Sequence, residues 1–234
     1  MEQIRLFDNL KKPEEKLFHW SRAESNEGLT RIPSGHTIFH EGSKPDYFFR
    51  ICEGTVKVSK VTADGRQLIF GFPTIGEIIG LSGPREYSYT AEAINAVKLR
   101  PLSRAHFHKE IARNGMIAGK LLDWAFEHEE KMQAHISLLA MHHPSSRIAG
   151  FLNMAANAQS LIKNNHPIEI VLPMTQHDIA TYLAVAPETY SRFMRKFREN
   201  GILKPRTGPS GKNGKKITIT DIARLREIAK GEKI

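Results

Sequence analysis

Between Met116 and His142 the chain contains no proline and a single glycine, Gly119. Across that run Ala118, Leu121, Ala125, His128, Met132, His135, Leu139 and His142 step by three and four in alternation. This is the period of a helical seam about four heptads long. A helix of that length must bury its stripe against its own domain or against a second copy, and the heptad period favours a second copy, with the chain as a homodimer. The long helix also sets the plan of the rest: residues 1–114 precede it, 115–142 form it, and 143–234 follow it.

Before the helix, from about Arg31 to Leu102, short apolar runs alternate with turn residues. In "TVKVSKV" Val56 and Val58 alternate with Thr55, Lys57 and Ser59, the period of two that marks a strand. "TADG", ending at Gly65, reads as a hairpin turn, and loop signals recur at Glu53-Gly54, Gly76 and Gly83-Pro84. Many short strands at regular spacing predict a small barrel or sandwich.

After the helix, "HHPSSRIAGFLNMAANA" predicts a new helix following Pro144, capped by Ser145 or Ser146, with Ile148, Phe151, Leu152 and Ala155 on one face. "LPMTQHDIATYL" reads as a helix capped by Thr175, then comes the short break "AVA", and "PETYSRFMRKFREN" opens at Pro187 and stops at Gly201. Two helices so joined are a helix-turn-helix. On the second of them Glu188, Ser191, Arg192 and Arg195 share one face, while Tyr190, Phe193, Met194 and Phe197 share another. One face packs and the other is free to read a ligand. "ILKPRTGPSGKNGKKITIT" then predicts a short strand, a Gly- and Lys-rich tip, and a returning strand in which Ile217 and Ile219 alternate with Thr218 and Thr220, which together make a wing.

Lys and Arg outnumber Asp and Glu by 34 to 25, a formal charge of +9. That balance suits a polyanionic partner such as nucleic acid as well as it suits an inert basic surface. The beginning "MEQIRLFDNLKKPEEK" has no secretory apolar region and no run approaches a membrane span, so a cytoplasmic protein without membrane contact is expected. Cys52 is the single cysteine, which excludes an intramolecular disulfide and a cysteine-ligated cluster. It is either a buried small hydrophobe or, if exposed, a redox handle.

The order of these parts resembles the CRP-FNR family of bacterial transcription regulators. The resemblance runs from "SGHTIFHEG" to "KKITIT" and rests on Gly35, Gly42, Gly54, Asp64-Gly65 and "IGEIIG" at 75–80. In the reading helix it rests on Glu188, Ser191 and Arg192, which match the E-x-x-S-R pattern of the FNR branch. It implies an α+β chain: a cupin-like β-roll sensor (a double-stranded β-helix), a dimerisation helix and a winged helix-turn-helix.

The resemblance further implies a regulator, expected to be an activator working with RNA polymerase, that binds double-stranded DNA at an inverted repeat of TTGAT-type half-sites. Base reading falls to Glu188, Ser191 and Arg192, since a carboxylate accepts from cytosine, a guanidinium donates twice to guanine, and serine adapts to base or phosphate. The blander alternative is an i,i+4 surface pair of Glu188 with Arg192. Thr175, Gln176, Arg195, Lys196, Lys204, Lys215 and Lys216, with Arg206 and Lys212, are the phosphate-contact candidates. Two places depart from the family pattern: Ala184 stands where the tight turn usually holds glycine, and Ala186 where a hydroxyl cap is usual.

In the sensor, the cyclic-AMP-binding branch carries a Glu and an Arg-Ser pair where this chain has Leu81 and Tyr89-Thr90. The charged half of a phosphate site is therefore missing, unless Arg85 substitutes from the loop. Gly80, Leu81, Tyr89, Thr90 and Met132 mark where an effector pocket would lie, and no response to cyclic AMP is expected. No metal or other cofactor is expected, and the iron-sulfur cluster of the FNR branch needs four cysteines. The FixK-like and DNR-like groups remain, the second implying a haem-dependent gas sensor. For that alternative His19, His36, His40, His106, His108, His128 and His135 are conceivable axial ligands, although each taken singly reads better as a solvated or core histidine. His128 and His135 together also suggest either a pH- or metal-responsive seam or polar residues that fix its register. An enzyme is not expected; a cupin-like enzyme with a basic appendage would need converging His and carboxylate ligands, and the strand region offers only His36 and His40.

Overall fold

The structure, a computed structural model, describes residues 28–113, 115–159, 167–205 and 215–234. It divides into two compact units, one ending at Lys131 and the other running from Met132 to Ile234.

The first unit holds strands β1 (Thr30–Ile32), β2 (Thr37–Phe39), β3 (Tyr47–Glu53), β4 (Val56–Val61), β5 (Gln67–Gly71), β6 (Ile78–Ile79), β7 (Thr90–Ala93) and β8 (Val97–Ser103). Helix α1 (Arg104–Arg113) and the first part of α2 (Gly115–Ala140) follow. The strands form two four-stranded antiparallel sheets in the orders β1-β8-β3-β6 and β2-β7-β4-β5. Between them lie Phe39, Ile51, Val56, Val58, Ile79, Tyr87, Ala91, Ala93, Val97 and Leu99. The turn spacing predicts such a small sandwich, and the resemblance implies the β-roll form of it.

The hairpin at Gly65 closes as expected: its amide donates to Thr62 O at 2.8 Å, and φ of +80° suits a residue without Cβ. Gly54 is required more strictly, because a Cβ there would meet the Ala96 carbonyl oxygen at 2.5 Å. The alternation read in β4 breaks at a register shift between Val58 and Ser59. Beyond it Ser59 is buried and Val61 is exposed, since a bulge turns the strand over by one residue.

The second unit contains the end of α2, then α3 (Pro144–Ala158), β9 (Ile168–Leu172), α4 (Gln176–Tyr182), α5 (Pro187–Glu199), β10 (Lys215–Ile219) and α6 (Ile222–Ala229). Pro144 is the first helical residue of α3 and His143 its cap position, with no side-chain cap bond. Ser145 and Ser146 therefore sit inside the helix, both buried, and do not cap it as the sequence suggested. α3 packs tightly on the end of α2 at Gly150, where a Cβ would come within 2.6 Å of Leu138 Cδ2.

In the wing the segment after Gly201 meets β10 at the Leu203–Ile219 bridge, with Lys204 N donating to Thr218 O and Thr220 N to Ile202 O, each at 2.9 Å. The partner that the sequence reading lacked is β9, which β10 pairs antiparallel, residue for residue from Lys215–Leu172 to Ile219–Ile168. β9 buries Ile168, Ile170 and Leu172 and exposes Glu169 and Val171.

On α2 the residues of the expected seam differ in burial. Ala125 and His128 are exposed, Leu121, Met132 and Leu139 are half-buried, and His135 is only 6% exposed. Besides Met116 at the start of the helix, the large apolar side chains that face outward are Leu122, Phe126 and Ile136, at 54, 53 and 61% exposure. They lie one residue, or about 100°, around the helix from the heptad line. The second unit claims the inward side, with Ala134, His135 and Leu138 buried in it.

Candidate nucleic-acid interface

Helix α4 starts in a capping box. The Thr175 hydroxyl accepts from the Asp178 amide at 3.0 Å, and the Asp178 carboxylate accepts from the Thr175 amide at 3.1 Å. The same hydroxyl donates to Asp178 Oδ2 at 2.5 Å. In this arrangement the Thr175 hydroxyl proton points back into the capping box. Gln176, the other phosphate candidate here, is half-buried in the first turn.

The α4 helix ends in a double bond pattern: Ala184 N donates to Thr181 O at 3.1 Å and Val185 N to Ala180 O at 3.0 Å. This is the Schellman arrangement, which puts one residue in the left-handed region and favours glycine there. Here that residue is Ala184, with φ of +50°. The departure from the family pattern thus falls at a position where the backbone itself asks for glycine.

Pro187 opens α5, and Ala186 supplies no capping side chain. Tyr190, Met194 and Phe197 are buried, so the helix is pinned along one face, while Glu188, Ser191, Arg192, Arg195 and Lys196 are exposed on the other. Burial raises the Tyr190 phenol pKa, keeping it neutral in the core. Pro187, Glu188, Ser191, Arg192 and Arg195 line one open depression.

Glu188 lies in the first turn, where the helix N-terminus favours a carboxylate. The Arg192 guanidinium lies 5.7 Å from the half-buried Phe193 ring centroid, and Lys196 Nζ 5.6 Å from it. One ion pair on this helix joins Arg195 to Glu199 at 3.7 Å; among the described residues Glu188 and Arg192 do not pair with each other. A carboxylate, a hydroxyl and a guanidinium therefore stand in one exposed row.

Of the other phosphate candidates, Lys204 is exposed, and Lys216 pairs across the wing with Glu169 at 2.7 Å. Lys215 opens β10. Arg206 and Lys212 lie outside the described residues, as does the Lys215 side chain.

The sensor positions behave differently. Tyr89 Oη accepts from the Gly80 amide at 2.8 Å, Thr90 Oγ1 accepts from the Glu41 amide at 3.0 Å, and Tyr87 Oη donates to Tyr47 O at 2.6 Å. Phe39 stacks on Tyr87 with ring centroids 3.9 Å apart. Leu81 is half-buried, Arg85 is exposed, and Met132 belongs to the other unit. The loop that a ligand would occupy is held by Arg104, whose Nη1 donates to Gly83 O at 3.0 Å and whose Nη2 donates to Ser82 O, with the guanidinium 4.8 Å over Phe48. Nothing in the sequence around Arg104 signals that clamp.

The histidines are scattered. His36, His40 and His106 are exposed, and exposed His128 stacks on Trp124 at 5.2 Å. His135 is buried against Tyr182. His19 and the His108 side chain lie outside the described residues. Among the described residues no three His, Cys, Asp or Glu side chains are grouped to hold a metal ion. Cys52 is half-buried, with Sγ 3.8 Å from Arg50 O.

Comparison with known proteins bears on both units. The profile of the Crp-like helix-turn-helix domain matches residues 146–228, and that of the cyclic nucleotide-binding domain matches residues 29–114. The chain is 27% identical over 196 residues to the nitrogen fixation regulation protein FixK of Bradyrhizobium diazoefficiens, covering 84% of this chain and 79% of that protein. It is 24% identical over 200 residues to the transcriptional activator protein FnrL of Cereibacter sphaeroides, covering 84% and 78%. The structure of FixK2 from Bradyrhizobium japonicum superposes with a TM-score of 0.74 at 25% identity, covering 88% of this chain and 98% of that one.

Proposed function

We propose a function for this chain from one premise: it belongs to the CRP-FNR family of transcription regulators, in the FixK branch, and is a DNA-binding regulator. Our reading is a homodimer that docks two α5 helices in successive major grooves of an inverted repeat. The half-site is of the TTGAT type, and Glu188, Ser191 and Arg192 read it. The observation that carries this reading is the α5 face itself, a row of exposed polar side chains on a helix whose opposite face is buried.

Three further parts have their own support. The dimer rests on Leu122, Phe126 and Ile136, an apolar stripe that a monomer would leave in water. An activator role is supported by the naming of FnrL as a transcriptional activator, and RNA polymerase is the partner such a role would need. Indifference to cyclic AMP follows from the loop after β6, where Tyr89 and Thr90 already occupy backbone amides.

The haem-dependent alternative needs an axial ligand facing a cleft, and His135, the buried candidate among the described residues, is turned onto Tyr182 instead. Work on DNA places the protein in the cytoplasm, and among the described residues no helix is long and apolar enough to cross a membrane.

The test is fluorescence anisotropy with two duplexes, one carrying the inverted repeat and one with both half-sites scrambled, each with and without cyclic AMP. The intact repeat should bind at least about 10³-fold more tightly, with no change on adding the nucleotide. Equal affinity for the two duplexes would refute the reading.

A further inference from the structure

Tyr182, Leu183 and Ala184 end the first helix of the helix-turn-helix, and a helix end leaves its carbonyls without partners in the helix. Two side chains from elsewhere in the same unit supply them. His135 Nε2, on α2, lies 2.7 Å from Tyr182 O and so carries its proton on that nitrogen. Arg147, on α3, donates from Nη1 to Leu183 O at 3.3 Å and to Ala184 O at 3.1 Å. Its Nε donates to Met141 O at 2.9 Å, just past the end of α2. The His135 ring lies flat on Tyr182, with centroids 3.8 Å apart and planes 6° from parallel, and Phe151 meets the other ring edge-on at 5.9 Å.

These donors converge where the backbone is least comfortable. Ala184 has φ of +50°, a region that Cβ disfavours. Relaxing it to the ordinary right-handed region would turn φ by roughly 100° and redirect everything that follows, beginning with Pro187. A planar guanidinium can bridge Met141 O to the turn carbonyls at fixed spacing, which an ammonium point charge cannot.

We propose that His135 and Arg147 are positioning residues for DNA recognition: they hold the left-handed turn at Ala184, and so set the angle at which α5 presents Glu188, Ser191 and Arg192. Neither needs to touch DNA. The proposal rests on the DNA-reading function above. It makes the turn depend on imported hydrogen bonds because alanine stands where glycine would hold the conformation unaided.

The experiment measures the ratio of affinities for the inverted-repeat and scrambled duplexes, at a temperature where thermal melts show each variant folded. Arg147→Gln should lower the ratio about tenfold, through specific binding alone, since scrambled-duplex affinity comes from phosphate contacts. Arg147→Lys should behave the same way, and His135→Gln should show a smaller loss. Adding Ala184→Gly to Arg147→Gln should restore most of the ratio, which a general stabilising role for Arg147 would not require. A folded Arg147→Gln variant with the wild-type ratio, or a double variant that stays defective, overturns the proposal. If Arg147→Gln does not fold, wild-type ratios in both Arg147→Lys and His135→Gln overturn it instead. A wild-type protein that fails to distinguish the duplexes would refute the DNA-reading function, a separate result.

Discussion

Each unit has an arginine that ties down a loop, but the two clamps leave opposite surfaces behind. Arg147 holds the turn before α5, and the polar row of Glu188, Ser191 and Arg192 stays outward on the helix beyond it. Arg104 holds the carbonyls of Ser82 and Gly83, and next to that loop the hydroxyls of Tyr89 and Thr90 consume the amides of Gly80 and Glu41. A site that awaits a ligand keeps donors and acceptors that its own chain has not satisfied. By that measure the α5 face is the better candidate for a binding surface, whereas beside the exposed β6–β7 loop the Gly80 and Glu41 amides are already satisfied from within the chain.

The largest effect should come from breaking the pairing of the two reading surfaces. Replacing Leu122 and Phe126 together with Lys should give a monomer in sedimentation and cost specific DNA affinity about 10²-fold or more, because a lone half-site loses its linked partner. If the dimer persists, and Leu121→Lys with Leu139→Lys dissociates it instead, the heptad line rather than the exposed stripe is the interface.

A smaller effect tests the sensor side of the comparison. Tyr89→Phe leaves the buried Gly80 amide without its acceptor, which should cost about 1–3 kcal/mol in denaturant unfolding of the β-roll. Calorimetric titration of that variant with cyclic AMP should remain silent, since freeing one amide restores no charge. Saturable binding would mean that Tyr89 alone had been closing a working site.

The smallest effect is a pH dependence in the second unit. Burial lowers the pKa of His135 from its usual 6.5, outweighing the opposing bond to Tyr182 O. Below pH 6.5 the unfolded chain therefore binds a proton that the folded unit resists, so this contribution is whole above pH 6.5 and is lost as pH falls through the folded pKa. Urea unfolding at pH 7.5 and pH 5.5 should show a larger drop for wild type than for His135→Gln. Equal drops would mean that His135 is not the group responsible.

What the sequence reveals and what it hides follow from the range of the forces involved. The helix-turn-helix is legible because its signals are local: Thr175 caps, Pro187 starts, and the positions of Tyr190, Met194 and Phe197 satisfy one helical period. The hairpin at Gly65 is legible for the same reason. The pattern of burial on α2 is not, since the fate of His135 is decided by Tyr182, 47 residues further on. Strand β9 and helix α6 also carry local signals: "IEIVL" alternates between Pro167 and Pro173, and Asp221 caps the final helix by accepting from Arg224 N at 2.8 Å. The bulge in β4 left no such mark, because Ser59 fits either face until the partner strand sets the register.

The central claim is that α5 reads bases, and Arg192 is where it can be measured most directly. Binding should be recorded over every single-base variant of one half-site, at two salt concentrations, for wild type, Arg192→Ala and Lys204→Ala. Arg192→Ala should cost about 1–3 kcal/mol and flatten the preference at one base pair, where the guanidinium meets guanine O6 and N7. Lys204→Ala should weaken all sequences alike and reduce the salt slope by about one. If Arg192→Ala loses affinity uniformly and keeps the full base preference, Arg192 is a phosphate contact and the account of α5 as the reading helix is contradicted at its centre.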